Sequence, residues 1–445
     1  MSSDLLMIGL SGAKAARTAL DVTAQNISNA STEGYVRRSV TLQEVAASGS
    51  YSQPYDVSLS GVRVDHVVRN ADMFRQAEVR RTGADIARTN TEVSNLENIE
   101  AAVEQSSVYP AMVDFEGSLQ RLASDPTDPS LRAGVMEAAQ TVAGTFAIAS
   151  NSLDGVASGL HFDAQAGVDQ VNTLATELAR VNLRLARAAD ASSDQTSLLD
   201  QRDNLLQQIS AYGDIATSFA TDGTVSVQLG GSSGPTLVQQ GTTNPLAMTT
   251  AANGTISFTV GGNPAALAGG SLEGQALSLN KLAQIRTDLD AAANSLITTA
   301  NTAQGNGVAL NGTTGQPLFS GTGASNIALA FTNGAGLATA PAGAAAGSRD
   351  TTNLNALRSA LTTADPTGKV DAVIFDISST VASRKVTQSA LQTIATNAKV
   401  ALETQAGVNL DQEAANLLRF QQAFQASSRA MQVASTIFDT LLSLK

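Results

Sequence analysis

Any chemistry in this chain would have to come from very few side chains. There are two histidines, His66 and His161, and no cysteine. Neither histidine stands in a His-Glu-x-x-His or related ligand spacing, and a chain without thiols has no thiolate nucleophile, disulfide or cysteine metal site. The tripeptides Gly321-Thr322-Gly323 and Gly334-Ala335-Gly336 lack the third glycine, the preceding buried strand and the following helix that a dinucleotide site requires. No glycine run leads into a P-loop lysine. The densest charge group is Asp200-Gln201-Arg202-Asp203, which on a helix reads as a solvated face or an intersubunit salt bridge rather than a catalytic pair. The expectation is a protein that is not an enzyme, with no catalytic residue, cofactor or metal.

What remains is a chain built to pack. Its 445 residues are enough for several domains, yet aromatics make up 4% and tryptophan is absent. Small residues dominate instead, as in helices that approach one another closely. The formal charge of -12 argues against nucleic acid and anionic membrane as partners, because binding there depends on neutralising phosphates with Lys and Arg. No apolar run reaches the eighteen or so residues of a membrane span. The short apolar run at Leu5 to Leu10, followed by Ala13-Lys14-Ala15, imitates a signal peptide, but Asp4 stands where a positive n-region belongs. An uncleaved N-terminus is expected.

Both ends carry helical seams. Leu6, Leu10, Ala13, Leu20, Ala24 and Ile27 recur at steps of three and four or their sums, broken by Arg17. At the other end, Phe420, Ala423, Ala430, Ala434, Ile437, Leu441 and Leu444 repeat the pattern, with Ser427 in the one polar slot. A second stripe, Leu417, Phe424, Met431, Phe438 and Leu442, widens that face beyond what one partner helix covers. These residues are the candidates for helix packing between copies, with the two ends pairing as a coiled coil.

Prolines divide the interior. The tract from 130 to 234 has none and carries two heptad seams, Ala139, Val142, Phe146, Ala149, Leu153, Val156, Leu160 and then Val171, Leu174, Leu178, Val181, Leu185, Ala188. Between 35 and 69 the period drops to two, through Val57, Leu59, Val62 and Val64 around Gly61, which predicts a small hairpin. Asp222-Gly223 and Asn253-Gly254 each lie between alternating runs and predict two further hairpins. Helix resumes over 274 to 303, a charge-free loop with short strands follows over 304 to 348, and helix continues from Asp350 to the end. The fold class expected is mainly α with a β insertion, an elongated multi-domain rod. Its parts are a terminal core of 1–45 with 400–445, a mainly helical middle of 46–212 with 273–399, and an inserted β domain over 213–272.

Several of these stretches carry a family likeness. Leu10-Ser11-Gly12 with Gln25-Asn26-Ile27-Ser28-Asn29-Ala30-Ser31-Thr32-Glu33-Gly34-Tyr35 resembles the N-terminal signature of bacterial flagellar rod, hook and junction proteins, its marked positions being Asn26, Asn29, Gly34 and Tyr35. Leu198-Leu199-Asp200-Gln201-Arg202-Asp203-Asn204-Leu205 is similar to a stretch of the first hook–filament junction proteins, the hook-associated protein 1 family, and marks Asp200, Arg202 and Asp203. Gly270-Ser271-Leu272-Glu273-Gly274, Val408-Asn409-Leu410-Asp411-Gln412-Glu413, Phe420-Gln421-Gln422 and Phe438-Asp439-Thr440-Leu441-Leu442 extend the likeness along the chain.

The resemblance implies a secreted structural subunit at the hook–filament junction of the bacterial flagellum, needed for flagellum assembly and motility. It implies type III export, a chaperone on the C-terminal region, and a ring of copies meeting the hook protein on one side and a second junction protein or flagellin on the other. A hook or rod subunit is the alternative within the same class. An exported cell-wall hydrolase on an axial scaffold is the alternative from another class, and it would need an acid or metal site.

Overall fold

A computed structural model describes residues 2–32, 34–46, 59–188 and 193–443, and of 2–4, 46, 59, 60, 193 and 441–443 the backbone alone. Val57 of the expected hairpin, Leu444, and the side chains of Leu441 and Leu442 lie outside the described residues. The order begins α1 (Ser2–Ser28), β1 (Arg38–Ala46), β2 (Leu59–Arg69), α2 (Met73–Glu104), α3 (Val108–Leu122), α4 (Pro129–Leu185) and α5 (Ser193–Tyr212). Seven strands follow, β3 (Ile215–Phe219), β4 (Val225–Leu229), β5 (Thr236–Gln239), β6 (Thr242–Thr243), β7 (Leu246–Thr250), β8 (Ile256–Val260) and β9 (Asn263–Ala265). After α6 (Ser271–Gly305) come β10 (Gly307–Val308), β11 (Phe319–Ser320), β12 (Ala328–Leu329) and β13 (Ala340–Pro341). Then α7 (Thr352–Ala364), α8 (Pro366–Ala406) and α9 (Leu410–Ser443) close the order. The protein is mainly α. It divides into two compact units.

The first unit comprises Met1–Asp85, Val171–Leu246 and Leu391–Lys445. Here α1 packs along α9 and lies against the antiparallel β1–β2 hairpin. The Ser11 hydroxyl donates to the Ile8 carbonyl at 2.8 Å and accepts from the Val62 amide at 3.1 Å, so one side chain ties α1 to β2. The second seam of α4 forms the interior of this unit, with Val171, Leu174, Leu178, Val181 and Leu185 all buried. On it sits the sheet β3–β4–β5–β6, whose inward residues Val225, Val227, Leu229, Leu237 and Val238 are also buried. Asn182 fastens the sheet through amide hydrogen bonds to the carbonyls of Val225 and Gln240, both 2.8 Å. The turn at Asp222 forms as its residues demand, with the carboxylate accepting from the amide (2.9 Å) and hydroxyl (2.7 Å) of Thr224.

The second unit comprises Ile86–Gln170 and Ala247–Ala390. Its core includes the first seam of α4, buried from Ala139 through Leu153, and the buried apolar stripe Leu282, Ile285, Leu289 and Leu296 of α6. Despite Gly144, Gly155 and Gly159, α4 runs without a break through the seam. Strands β7–β8–β9 make a separate sheet, so the strands expected as one β insertion fall in two sheets.

Residues 304 to 348, expected as a loop with two short strands, carry two small strand pairs, β10–β13 and β11–β12, and a 3-10 turn at Gly334–Gly336. Their anchor is Arg132, one of the largest fully buried side chains of the protein. Its guanidinium donates to the carbonyls of Pro126 (2.6 Å), Gly334 (3.0 Å) and Leu337 (2.8 Å) and to the Thr339 hydroxyl (2.8 Å). Arg132→Met fills the space but leaves those acceptors unpaired, at about 1–3 kcal/mol for each acceptor that stays dry. Amide exchange at Leu337 and Ala338 should speed up accordingly, and unchanged protection there would show that the segment holds itself.

Candidate assembly interface

The α1–α9 pair is antiparallel: Gly9 lies against Ser427 and Met431, whereas Asn26 near the other end reaches Glu413. A Cβ on Gly9 would stand 2.7 Å from Met431 Cγ and 3.1 Å from the Ser427 carbonyl oxygen, so glycine allows the close approach. On α1 the buried face is made of small residues, Gly9, Ala13, Ala16, Ala19, Thr23 and Asn26. Of the predicted seam, Ala13 is buried, Leu10 and Leu20 are half-buried, and Leu6 (41%), Ala24 and Ile27 (37%) are exposed. On α9 the inward side draws on both predicted stripes: Leu417, Phe420, Ser427 and Met431 are half-buried, and Glu413 and Ala434 buried. Phe424, Ile437 and Phe438 remain exposed, the last at 52%. Thus the larger apolar residues mostly stay outside and the small ones make the pairing. Leu5, Met7 and Ile8 on α1 and Leu418 and Val433 on α9 add to the exposed set.

The signature residues meet just beyond that pair. Asn26 Oδ1 accepts from the Tyr35 hydroxyl (2.8 Å) and the Arg38 amide (3.0 Å), while Nδ2 donates to the Arg38 carbonyl (2.8 Å) and to Glu413 Oε2 (3.2 Å). Arg37 Nε closes on the other Glu413 oxygen at 2.7 Å. One amide therefore holds α1, the start of β1 and α9 together. Gly34 makes the turn possible with φ of 76°, a left-handed conformation that side chains resist. Asn29 serves its own helix end, donating to the Gln25 carbonyl at 2.9 Å. Burial pushes the Tyr35 phenol up.

The Asp200 to Asp203 cluster corrects the sequence reading, which expected a solvated face or an intersubunit bridge. Asp200 accepts from Arg38 (2.9 Å) and Arg69 (2.7 Å), and Asp203 from Arg69 (2.9 Å), Gln76 (3.1 Å) and Arg202 (2.6 Å). These are ion pairs within the chain, and Asp203 and Arg202 are buried. Arg202 also donates to the Gly223 carbonyl at 2.6 Å and lies over the Phe219 ring at 4.6 Å, so α5 is bolted both to the hairpin β1–β2 and to the sheet. Burial draws the Asp203 carboxyl up, but the guanidiniums of Arg202 and Arg69 outweigh it and leave the group below the usual carboxylate range. Burial depresses Arg202 and Arg80. Sequence reasoning marked Asp200, Arg202 and Asp203 but missed Arg38, Arg69, Gln76 and Glu413. The arginines stand in a hairpin more than a hundred residues away, and Glu413 is more than two hundred residues away at the start of α9.

No group of three or more His, Asp or Glu side chains is placed to hold a metal among the described residues. His66 pairs with the neighbouring Asp65 at 2.8 Å on the surface. The arrangement can position and lock helices.

Three family models match the chain. Residues 93–319 match the model for the flagellar hook-associated protein FlgK helical domain. Residues 6–35 match the flagella basal body rod protein model, and 402–444 the flagellar basal body rod FlgEFG protein C-terminal model. Flagellar hook-associated protein 1 of Bacillus subtilis (strain 168) is 29% identical over 231 residues, 48% of this chain and 46% of that protein. The protein of the same name from Escherichia coli (strain K12) is 27% identical over 251 residues, 55% of this chain and 45% of its own length. The matched stretch therefore spans slightly less than half of these relatives. Among solved structures, the flagellar hook junction protein FlgK from Burkholderia pseudomallei aligns with a TM-score of 0.49 at 23% identity, covering 55% of this chain and 46% of that one.

Proposed function

The chain belongs to the flagellar hook-associated protein FlgK family, and from that premise we propose that it is a structural subunit joining hook to filament in the bacterial flagellum. The observation that supports this most strongly is the pairing of α1 with α9. Those helices are the stretches that match the rod-protein models, and together they leave Leu6, Ile27, Phe424, Ile437 and Phe438 in solvent. Apolar side chains on two sides of a slender helix pair need further helices, and copies of the same chain supply them in a ring. The predicted seam residues then act between copies, while Gly9, Ala16 and Ala19 act within one.

The same exposed faces call for a chaperone before assembly, and export through the flagellar type III apparatus brings the chain to the hook tip. Hook protein lies below and a second junction protein or flagellin above. The polar clamp at Asn26 and Asp203 sets the angle at which the helix pair leaves the rest of its unit. Immunogold labelling of intact appendages should give one cluster of particles at the hook–filament junction. Labelling along a whole hook or filament would make the chain a bulk subunit instead.

A further inference from the structure

The unit made of 86–170 and 247–390 carries two helix faces that stand bare among the described residues. One is on α4. Gly144, Ile148, Asn151, Gly155, Gly159 and Phe162 fall within about 80° of one another at 3.6 residues per turn, opposite the buried seam, and Phe162 is 74% exposed. Glycine inside a helix is destabilising relative to alanine, and a close approach of other backbone or side chains is the usual reason to keep it. Here a Cβ on Gly144, Gly155 or Gly159 would meet nothing within 4 Å. The chain's own packing has no use for these glycines.

The other face is on α8, where Phe375, Ser379, Ala382 and Val386 are exposed and lie within about 60° of one another. Phe375 and Val386 are each 73% exposed. The charges beside them turn toward the unit instead: Arg384 and Lys385 pair with Glu92 (2.8 Å) and Glu97 (2.6 Å) of α2, and Asp376 with Lys281 of α6 (2.5 Å). Both α2 and α6 also border α4, the first through a groove that Asn98 and Ala102 line with Val156 and Leu160, the second through the Arg286–Asp154 pair. With α2 and α6 between them, α4 and α8 turn their bare faces to opposite sides of the unit.

We propose that the bare face of α4 on one copy receives the bare face of α8 on the next copy, an inference that rests on the self-assembly argued above. The spacing fits. Phe375 and Val386 stand eleven residues apart on one line of their helix, and Gly144 and Gly155 stand eleven apart on theirs, about 16 Å in each case. Two projecting side chains therefore meet two stretches of uncovered backbone whichever way the helices run, and Ile148 meets the small residues Ser379 and Ala382. Charge fits as well. Every formal charge of α4 between 133 and 170 is negative, at Glu137, Asp154, Asp163 and Asp169, whereas α8 carries only positive ones between 377 and 402, at Arg384, Lys385 and Lys399. In a chain of net charge -12 that basic margin is an exception, and it favours the acidic margin of α4 over a second α8. Because two different faces meet, each copy holds a neighbour on either side, the head-to-tail contact that closes a ring or continues a helix of subunits.

Gly155→Leu separates folding from assembly. The open space beside Gly155 accepts the side chain and leucine is the better helix former, so the free variant should unfold at a temperature no lower than the original. In sheared flagella from a deletion strain of its own organism it should be present at about a tenth of the original amount, because the added side chain takes the place of the incoming Phe375 or Val386. A second measurement locates the partner. The chain has no cysteine, so Asn151→Cys and Ala382→Cys, near the middle of the two faces, introduce unique thiols. Carried together in one full chain and treated in assembled flagella with a short bis-maleimide linker, they should yield a ladder at multiples of the chain mass, while either alone yields none. Incorporation of Gly155→Leu equal to that of the original overturns the proposal, as does the lack of a ladder, a dimer formed by either single variant, or linkage to a different protein. Failure of the unaltered chain to enter flagella at all would overturn the assembly reading, and this inference with it.

Discussion

Replacing Asp203 by alanine should cost the unit that carries the terminal helices about 3–5 kcal/mol, the expected effect of removing one partner from a buried ion-pair group. The loss is large because it is not a loss of attraction alone. Arg69, Arg202 and Gln76 all donate to Asp203, and without it Arg202 stays buried beside Arg80 with no carboxylate bonded to it, while Arg69 keeps Asp200 alone. Asp203→Asn keeps the shape and part of the hydrogen bonding, and should fall between.

Acid should act in the same direction. The folded carboxyl titrates below its unfolded value, so its contribution is fully present above the unfolded pKa, about 4, and disappears as pH falls through the lower folded value. The unaltered protein should therefore lose stability below about pH 4 more steeply than Asp203→Ala. Denaturant melts at several pH values, followed by amide exchange at Arg38 and Ser39, would show it. Parallel pH profiles for the two proteins would mean that the pair is not what acid breaks.

A second pair of substitutions separates packing within a copy from packing between copies. Ala434 is 1% exposed against α1, and Phe438, one turn on, is 52% exposed. Ala434→Asp drives an unpaired carboxylate between α1 and α9 and should unpair them in the free protein. Phe438→Asp should leave the free protein within about 0.5 kcal/mol of the original, as for other surface changes. In flagella, however, it should be nearly absent, because assembly would bury the new charge. Normal incorporation of Phe438→Asp would remove the outer apolar face from the account.

The contrast explains what the sequence could and could not reveal. Heptad spacing located α4 and its two seams because those positions hold Val, Leu and Phe, and every residue from Ala139 to Leu153 in the first seam is buried. It overlooked α2, whose inward positions include Gln76, Arg80, Thr82, Thr89, Glu92 and Asn95; Gln76, Glu92 and Asn95 meet Asp203, Arg384 and Gln275, partners distant in sequence. On α1 the pattern drew the eye to the large residues, but close helix approach favours the small ones, so the intrachain face lies beside the predicted stripe. The motifs at Asn26 and Asp200 were visible as residues. Their meeting was not, since Arg38 and Arg69 connect them through a hairpin whose side chains alternate without any charge pattern pointing to α5.

The junction role itself is tested most directly in a strain that lacks this chain. If its copies form the layer on which the filament is seated, electron micrographs should show complete hooks without filaments, and flagellin should accumulate in the culture fluid. Cells without hooks would contradict the assignment and point to a hook, a rod or a wall-clearing part, and normal filaments would show that no such seat is needed.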